Sequence, residues 1–373
     1  VTAVRVTQLD GKLPNLALMR LAAWHRHQGD DVRWERGATR QLHEPEYDIV
    51  YASAIFETSS KAVAKFRRQF PDAIIGGSGG DSLGDDGKAV KVSEIVPSQF
   101  SGLDYSAYPE FHASIGYASR GCRFKCRSFC MVPDAEGAGR SAGAIGQIWR
   151  GPGFPKDVHL LDNDFFGNPD WRSVVEEVVS GGYRICINQG INMRLLAGHP
   201  WNVPKSKWTP ELIAERERLA DEQVEALVAM KPWDDQFKRR RIYAAWDNLG
   251  DEAVFMAGLD RLERHGIAPE AVMVYMLVGL DPRETWERIL YRHGRLVERG
   301  VRPYPMPFHK LRFTRPDHYR ALKRFQSWAV SPAQKACSFG DFRADHKAPP
   351  SPGPLLGLMT PASRLQVPLG DVS

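Results

Sequence analysis

Three of the five cysteines, Cys122, Cys126 and Cys130, fall within one short stretch, YASRGCRFKCRSFC, at residues 117–130. Thiolates are soft ligands that hold zinc or iron–sulfur clusters. A structural zinc site wants four ligands, usually as two short-spaced pairs. Neither remaining cysteine completes a second pair: Cys186 sits inside a strand-like run, and Cys337 lies near the far end of the chain. Three thiolates without a fourth leave one coordination position open. A cluster on three cysteines with one free iron fits that count better than zinc does. Arg123, Lys125, Arg127 and Ser128 interleave the cysteines, a polar setting unlike that of inert core thiols.

Such a loop needs a scaffold, and the chain offers a recurring one. Apolar runs at 113–119, 157–161, 183–188, 241–245, 271–278 and 301–308 read as strands. Most end in polar residues: Asp162, Asn163 and Asp164; Gln189, Asn192 and Arg194; Asp247; and His309 with Lys310. Helical patterns follow at 171–179, 252–265 and 285–298. Polar groups at the C-terminal ends of parallel strands are where α/β barrels keep their chemistry. Taken singly, each of these side chains is equally well explained as a helix cap or a solvated turn, with Asn168 or Asp170 capping the helix at 171.

The first hundred residues form a separate pattern. Strands at 4–9, 47–56 and 73–75 alternate with helices at 13–27 and 59–69. That is the rhythm of a doubly wound parallel sheet. Gly76, Gly77, Gly79 and Gly80 follow the third strand and offer a ligand close approach to the backbone, although glycine turns after strands are common.

Composition narrows the class. A chain of 373 residues can bury one large core or two moderate ones. No apolar run approaches the roughly 18 residues of a membrane span, so no membrane partner is expected. The start, VTAVRVTQLD, lacks a signal-peptide layout, and the expectation is a cytoplasmic protein. Five cysteines, three of them crowded together, argue against a disulfide framework. The net charge of +5 permits a nucleic-acid partner without demanding one. The basic run Lys238–Arg241 reads as a solvated element end sooner than as a phosphate site.

Two family resemblances follow from these residues. The cysteine stretch resembles the radical S-adenosylmethionine (SAM) superfamily, whose hallmark is Cys-x3-Cys-x2-Cys with an aromatic residue before the last cysteine. Ser119-Arg120-Gly121, Cys122, Cys126, Phe129 and Cys130 match it. One extra residue makes this chain Cys-x3-Cys-x3-Cys, which puts a bulge before Cys130. The resemblance implies a [4Fe-4S] cluster on the three cysteines, whose open iron chelates SAM and cleaves it to a 5′-deoxyadenosyl radical. It also implies an electron donor such as flavodoxin or ferredoxin. By the same resemblance Phe129, Asp162, Asn163, Asp164, Gln189, Asn192, Arg194, Asp247 and Leu277 line the SAM pocket, with Leu277 against the adenine. No catalytic residue is assigned.

The first hundred residues resemble a cobalamin-binding domain, whose pattern is Asp-x-His-x-x-Gly, then Ser-x-Leu, then Gly-Gly. Here these read Asp10-Gly11-Lys12-Leu13-Pro14-Asn15, Ser53-Ala54-Ile55 and the glycine cluster. Lys12 stands at the cobalt-ligating histidine and Asn15 at the glycine. A protonated lysine has no lone pair to offer a metal.

The expected architecture is therefore α/β: a Rossmann-like, cobalamin-binding-like domain at 1–100, then a partial (β/α)6 TIM-type radical SAM barrel at 101–344. Residues 197–219 form an insertion that could serve as a lid, and 132–146 a glycine-rich loop able to close over SAM. A proline-rich tail, expected to be disordered, occupies 345–373. The expected activity is hydrogen abstraction from an unidentified organic substrate, with a nucleobase or nucleoside as one class. The alternatives are cobalamin-dependent methyl transfer and a non-catalytic, metal-stabilised binding protein.

Overall fold

The computed structural model describes residues 1–77, 91–124, 126, 130 and 132–342. They form two compact units, Val1–Ile115 and Gly116–Ser373. Phe129, the distal glycines Gly79 and Gly80, and the proline-rich tail lie outside the described residues.

The first unit runs β1 (Ala3–Gln8), α1 (Leu16–His27), β2 (Asp31–Arg36), β3 (Ile49–Ser53), α2 (Ser60–Gln69) and β4 (Ile74–Gly76). The strands are parallel in the order β2-β1-β3-β4. Alternation along the strands sorts side chains to two cores. Val4, Val6 and Tyr51 pack with Leu18, Leu21 and Ala22 of α1, while Ala52 and Ile75 pack with Val63 and Phe66 of α2. Arg5 is fully buried on the second face, where Glu44 holds its guanidinium at 2.7 Å beside the Phe66 and Phe70 rings. Strand β2 has no counterpart in the sequence reading. It is an edge strand, DVRWER, with Val32 buried and its charged side chains largely exposed, so its apolar signal is one residue deep.

The second unit opens at the end of β5 (Ser114–Gly116). It continues through β6 (Ser119–Arg120), α3 (Val132–Glu136), β7 (Arg140–Ser141), α4 (Ile145–Ile148), β8 (Asp157–Leu160), α5 (Trp171–Gly181), β9 (Arg184–Ile187) and α6 (Met193–Leu196). Then follow α7 (Pro210–Met230), β10 (Ile242–Ala245), α8 (Glu252–Arg264), β11 (Val272–Val278), α9 (Trp286–Glu298), β12 (Arg302–Pro307), α10 (Leu311–Thr314) and α11 (Pro316–Val330). Two three-stranded sheets, β5-β8-β9 and β10-β11-β12, carry six of these strands, with β6 and β7 paired apart; β8–β9, β10–β11 and β11–β12 pair in parallel. A single parallel bridge, Ile191↔Ala244, joins one sheet to the other. Val158, Leu160, Ile185, Ile242, Val274 and Met276 share one core with Val178, Leu259, Ile289 and Phe325 of the covering helices.

Half of the expected insertion is regular structure. Thr209 accepts a hydrogen bond from Leu212 N and Pro210 opens α7, a strong start signal, so 210–219 belong to a helix. The basic run is partly structural: Arg241 is buried and donates to Glu270 O at 2.8 Å, and Arg240 lies 3.9 Å over the Trp233 ring. Among the described residues no helix is long and apolar enough to cross a membrane.

Candidate metal centre

The loop carrying the three cysteines is braced at its base. Strands β6 and β7 pair antiparallel, Ser119 with Ser141 and Arg120 with Arg140. Cys122 N donates to Gly137 O at 3.0 Å. Gly121 has φ +84°, and a Cβ there would stand 2.2 Å from Ala138 O. Only glycine combines that backbone with that approach. The Glu136 carboxylate accepts from Gly121 N and Arg120 Nε at 3.0 and 3.1 Å. Cys130 N donates to Cys126 O at 2.9 Å. This bond brings the backbones of Cys126 and Cys130 together.

Two aspartates hold the loop from the sheet side. Asp162, which is fully buried, accepts from Ala118 N and Ser119 N, both at 2.9 Å. Asp164, 2% exposed at its side chain, takes Arg123 Nε at 2.8 Å, its NH2 nitrogen at 3.1 Å and its backbone N at 3.3 Å. Gly167 leaves room for this carboxylate, since a Cβ there would collide with it at 2.2 Å. Both aspartates were expected to receive the ammonium of SAM. Their oxygens are instead engaged by the loop, so they position the cysteines. Asn163, half-buried between them, makes no side-chain hydrogen bond to another described residue.

The three thiols are half-buried. Burial pushes Cys122 up to about 11, and the Asp164 charge and the other two thiols add to it. Burial also raises Cys126, with Cys130, Asp247 and Asp251 adding and Arg194 opposing. These mutual influences put the three sulfurs in one neighbourhood. Among the described residues they do not converge on a single ion position.

The charges of Arg194 and Asp247, which follow β9 and β10, pull the Cys126 thiol in opposite directions. Arg194 pairs with Asp251 at 2.7 Å. Asn192 caps α6, accepting from Arg194 N at 3.0 Å, a structural duty for its oxygen. Gln189 is exposed and donates to Asn188 Oδ1 at 3.2 Å. Asp247 accepts from Leu277 N at 2.8 Å, and burial raises its carboxyl above the usual range. Leu277, half-buried, is thereby tied to Asp247.

One positioning group had no place in the sequence reading. Arg292 of α9, 1% exposed, donates to Trp246 O at 2.7 Å and Leu277 O at 2.9 Å and pairs with Glu284. Glu284 in turn accepts from Gly279 N at 2.6 Å. The signal was available: an arginine set among Trp286, Ile289, His293 and Leu296 on the buried face of a helix must be paired. Phe124, buried beside the cysteines, also packs against Trp201 at 4.6 Å, so the start of the expected insertion touches the loop.

These features define a mixed α/β protein with parallel sheets and a braced three-thiol loop beside the strand ends of its second unit. Its fold is similar to that of the cobalamin-dependent S-adenosylmethionine radical enzyme OxsB with aqua-cobalamin bound. The TM-score is 0.50 at 13% identity, over 90% of this chain and 58% of that one. The apo, selenomethionine-labelled form of OxsB aligns over 74% of this chain and 49% of that one, at 15% identity and TM-score 0.48. The chain thus spans somewhat over half the length of the structure it matches. No family model matches the chain, and no curated protein sequence does.

The donor set fits the cluster: three thiols, half-buried, on a loop held by the β6–β7 pairing, Glu136, Asp162 and Asp164. Cobalamin fares differently. In a doubly wound sheet the ligand crevice opens where the strand order reverses, here between β1 and β3. That position is filled. Asn15 Nδ2 donates to Ser53 Oγ at 2.9 Å, Asn15 N to Tyr108 Oη at 3.1 Å, Tyr108 Oη to Gln8 Oε1 at 2.8 Å, and Gln8 Nε2 to Leu13 O at 3.1 Å. All four side chains are buried. Gly77 is needed to let β4 approach β3, since a Cβ would stand 2.1 Å from Ala54 O. With exposed Lys12 at the histidine position, neither the axial ligand nor the crevice fits cobalamin.

Proposed function

We propose that this protein is a radical SAM enzyme with Cys122, Cys126 and Cys130 as its cluster ligands. The observation that carries the reading is three half-buried thiols on one loop that Asp162 and Asp164 brace from the sheet side. The likeness in fold to a SAM radical enzyme supports it. Bound there, a [4Fe-4S] cluster would supply the electron that cleaves SAM to methionine and a 5′-deoxyadenosyl radical able to abstract hydrogen from an organic substrate.

The chain's own residues have defined parts in this reading. Asp162, Asp164 and Glu136 hold the loop, and Arg194 is the guanidinium placed to meet the SAM carboxylate. Asp247 keeps one carboxylate oxygen for a ribose hydroxyl while the other fixes Leu277, whose side chain packs on the adenine. The six strands β5, β8, β9, β10, β11 and β12 form the partial (β/α)6 barrel, and residues 197–209 with Trp201 act as its lid. The enzyme works in the cytoplasm with a one-electron donor such as flavodoxin or ferredoxin. Methyl transfer through cobalamin is the second reading; it draws on the OxsB likeness and is weakened by the filled crevice.

The test is anaerobic reconstitution with iron and sulfide, followed by dithionite and SAM. 5′-Deoxyadenosine is expected from the wild-type chain and not from Cys126→Ala. Equal yields from the two would end the proposal and leave a non-catalytic metal protein.

A further inference from the structure

The second unit holds a cavity of about 570 Å³ between the start of α5 and one face of α7. Pockets of that size take small organic molecules. Helix α7 lines it with Glu215, Arg218, Leu219, Glu222 and Gln223. Their spacing, i, i+3, i+4, i+7 and i+8, is a single stripe along a helix. Phe166, Trp171 and Arg172 line it from the turn before α5 and from its first residues.

Five charged side chains line this cavity, and three of them are already matched. Arg123 is held by Asp164 at 2.8 Å, and Arg172 pairs with Glu222. Arg218 and Glu215 remain, both exposed and neither bonded to another described residue. One free cation and one free anion, three residues apart on one helix face, suit a zwitterion.

Gln223 asks for a third group. It is 1% exposed, and its Oε1 accepts no hydrogen bond from a described residue. A buried acceptor left unmatched is costly, so this end of the stripe calls for an N–H or O–H from an occupant. Gln223 stands five residues past Arg218, about 7.5 Å along the helix axis. Leu219 lies between them in the stripe, and Phe166 and Trp171 add apolar wall. The occupant is therefore charged at one end, apolar in its middle and a neutral donor at the other end.

We propose that this cavity binds a free amino acid, with its carboxylate on Arg218, its ammonium on Glu215 and a donor at the tip of its side chain on Gln223 Oε1. L-Tyrosine has that layout. The site is independent of the radical SAM reading, since none of these groups is assigned to the cluster or to SAM.

Ligand-observed NMR on the reconstituted protein, with SAM present, should detect L-tyrosine. L-Phenylalanine lacks the phenol, tyramine the carboxylate and 3-(4-hydroxyphenyl)propionate the ammonium. Each should bind about tenfold more weakly. Gln223→Met keeps the side-chain bulk and removes the acceptor. It should bring L-tyrosine down to the level of L-phenylalanine while L-phenylalanine itself is unchanged, a comparison made within one folded variant. Arg218→Met, at an exposed position, should weaken L-tyrosine about tenfold and leave tyramine unchanged. Absence of L-tyrosine binding, or binding no tighter than that of L-phenylalanine, overturns the site. Wild-type affinity for L-tyrosine in either variant overturns it as well, because the amino acid then sits elsewhere.

Discussion

At the scale of single residues, the cysteines were legible and their supports were not. Thiol spacing is a local property, so Cys122, Cys126 and Cys130 can be picked out from the chain itself. The partners of Asp162 and Asp164 lie more than forty residues away, and no spacing rule connects them. A polar strand end offers the same sequence whether its carboxylates meet a ligand or a neighbouring loop. Burial decides between these, and Asp162 has no surface from which to touch SAM. The Asp164–Arg123 pair gives a direct test. Asp164→Ala leaves a guanidinium without its bidentate partner at the cysteine loop. It should cost about 2–3 kcal/mol in urea unfolding and lower the iron bound per chain after reconstitution. Cys186→Ala, at a buried thiol of β9 outside the loop, should leave iron loading near the wild-type level. Full iron loading in Asp164→Ala would show that the brace is dispensable.

Among elements, long and periodic segments were readable, and short or edge ones were not. Strands β8 to β12 and helices α5, α8 and α9 stand within a residue or two of their expected ends, while the strand expected at 113–119 breaks into β5 and β6. Strand β2 escaped because an edge strand buries one side chain where a central strand buries several. The first half of α7 escaped because the prolines and tryptophans around it look like loop, although Thr209-Pro210 is a good helix start. Helix α9 shows an element doing something its amphipathic pattern hides. Through Arg292 it ties the backbone after β10 to the end of β11, which fixes Asp247 relative to Leu277. Arg292→Met would strand Glu284 and two carbonyls inside the protein. A loss of about 3–5 kcal/mol is expected by denaturant unfolding. Arg292→Met/Glu284→Gln should recover part of it, because the buried carboxylate no longer lacks a countercharge. No recovery would mean that the carbonyl contacts, and not the ion pair, carry the effect.

On the whole-molecule scale, the first unit keeps the strand order of a ligand-binding sheet while its crevice is filled. Hydroxocobalamin passed with the protein over a size-exclusion column should therefore elute apart from it. A corrinoid spectrum under the protein peak would contradict the filled crevice directly.

Stability against pH makes a second whole-molecule test, because two buried groups of the second unit pull in opposite directions. Burial raises Asp162 from 3.8 to about 7, against the two backbone N–H groups and Arg120 that favour its charge. The native state then binds the extra proton between those values, so this group removes stability as pH rises from 3.8 to 7. Burial lowers His293 from 6.5 to about 4 where it packs against Phe325 and Trp328. Here the unfolded chain binds the extra proton, and stability is lost as pH falls from 6.5 to 4. Shifts of this size correspond to roughly 3–4 kcal/mol each, so between pH 4 and 6.5 these two contributions oppose one another. Asp162→Asn should unmask a stability that rises with pH, and His293→Phe one that falls. Urea midpoints at half-unit steps of pH read the slopes whatever each substitution costs in absolute stability. Parallel profiles for the two variants would show that neither group carries its proton as its burial requires.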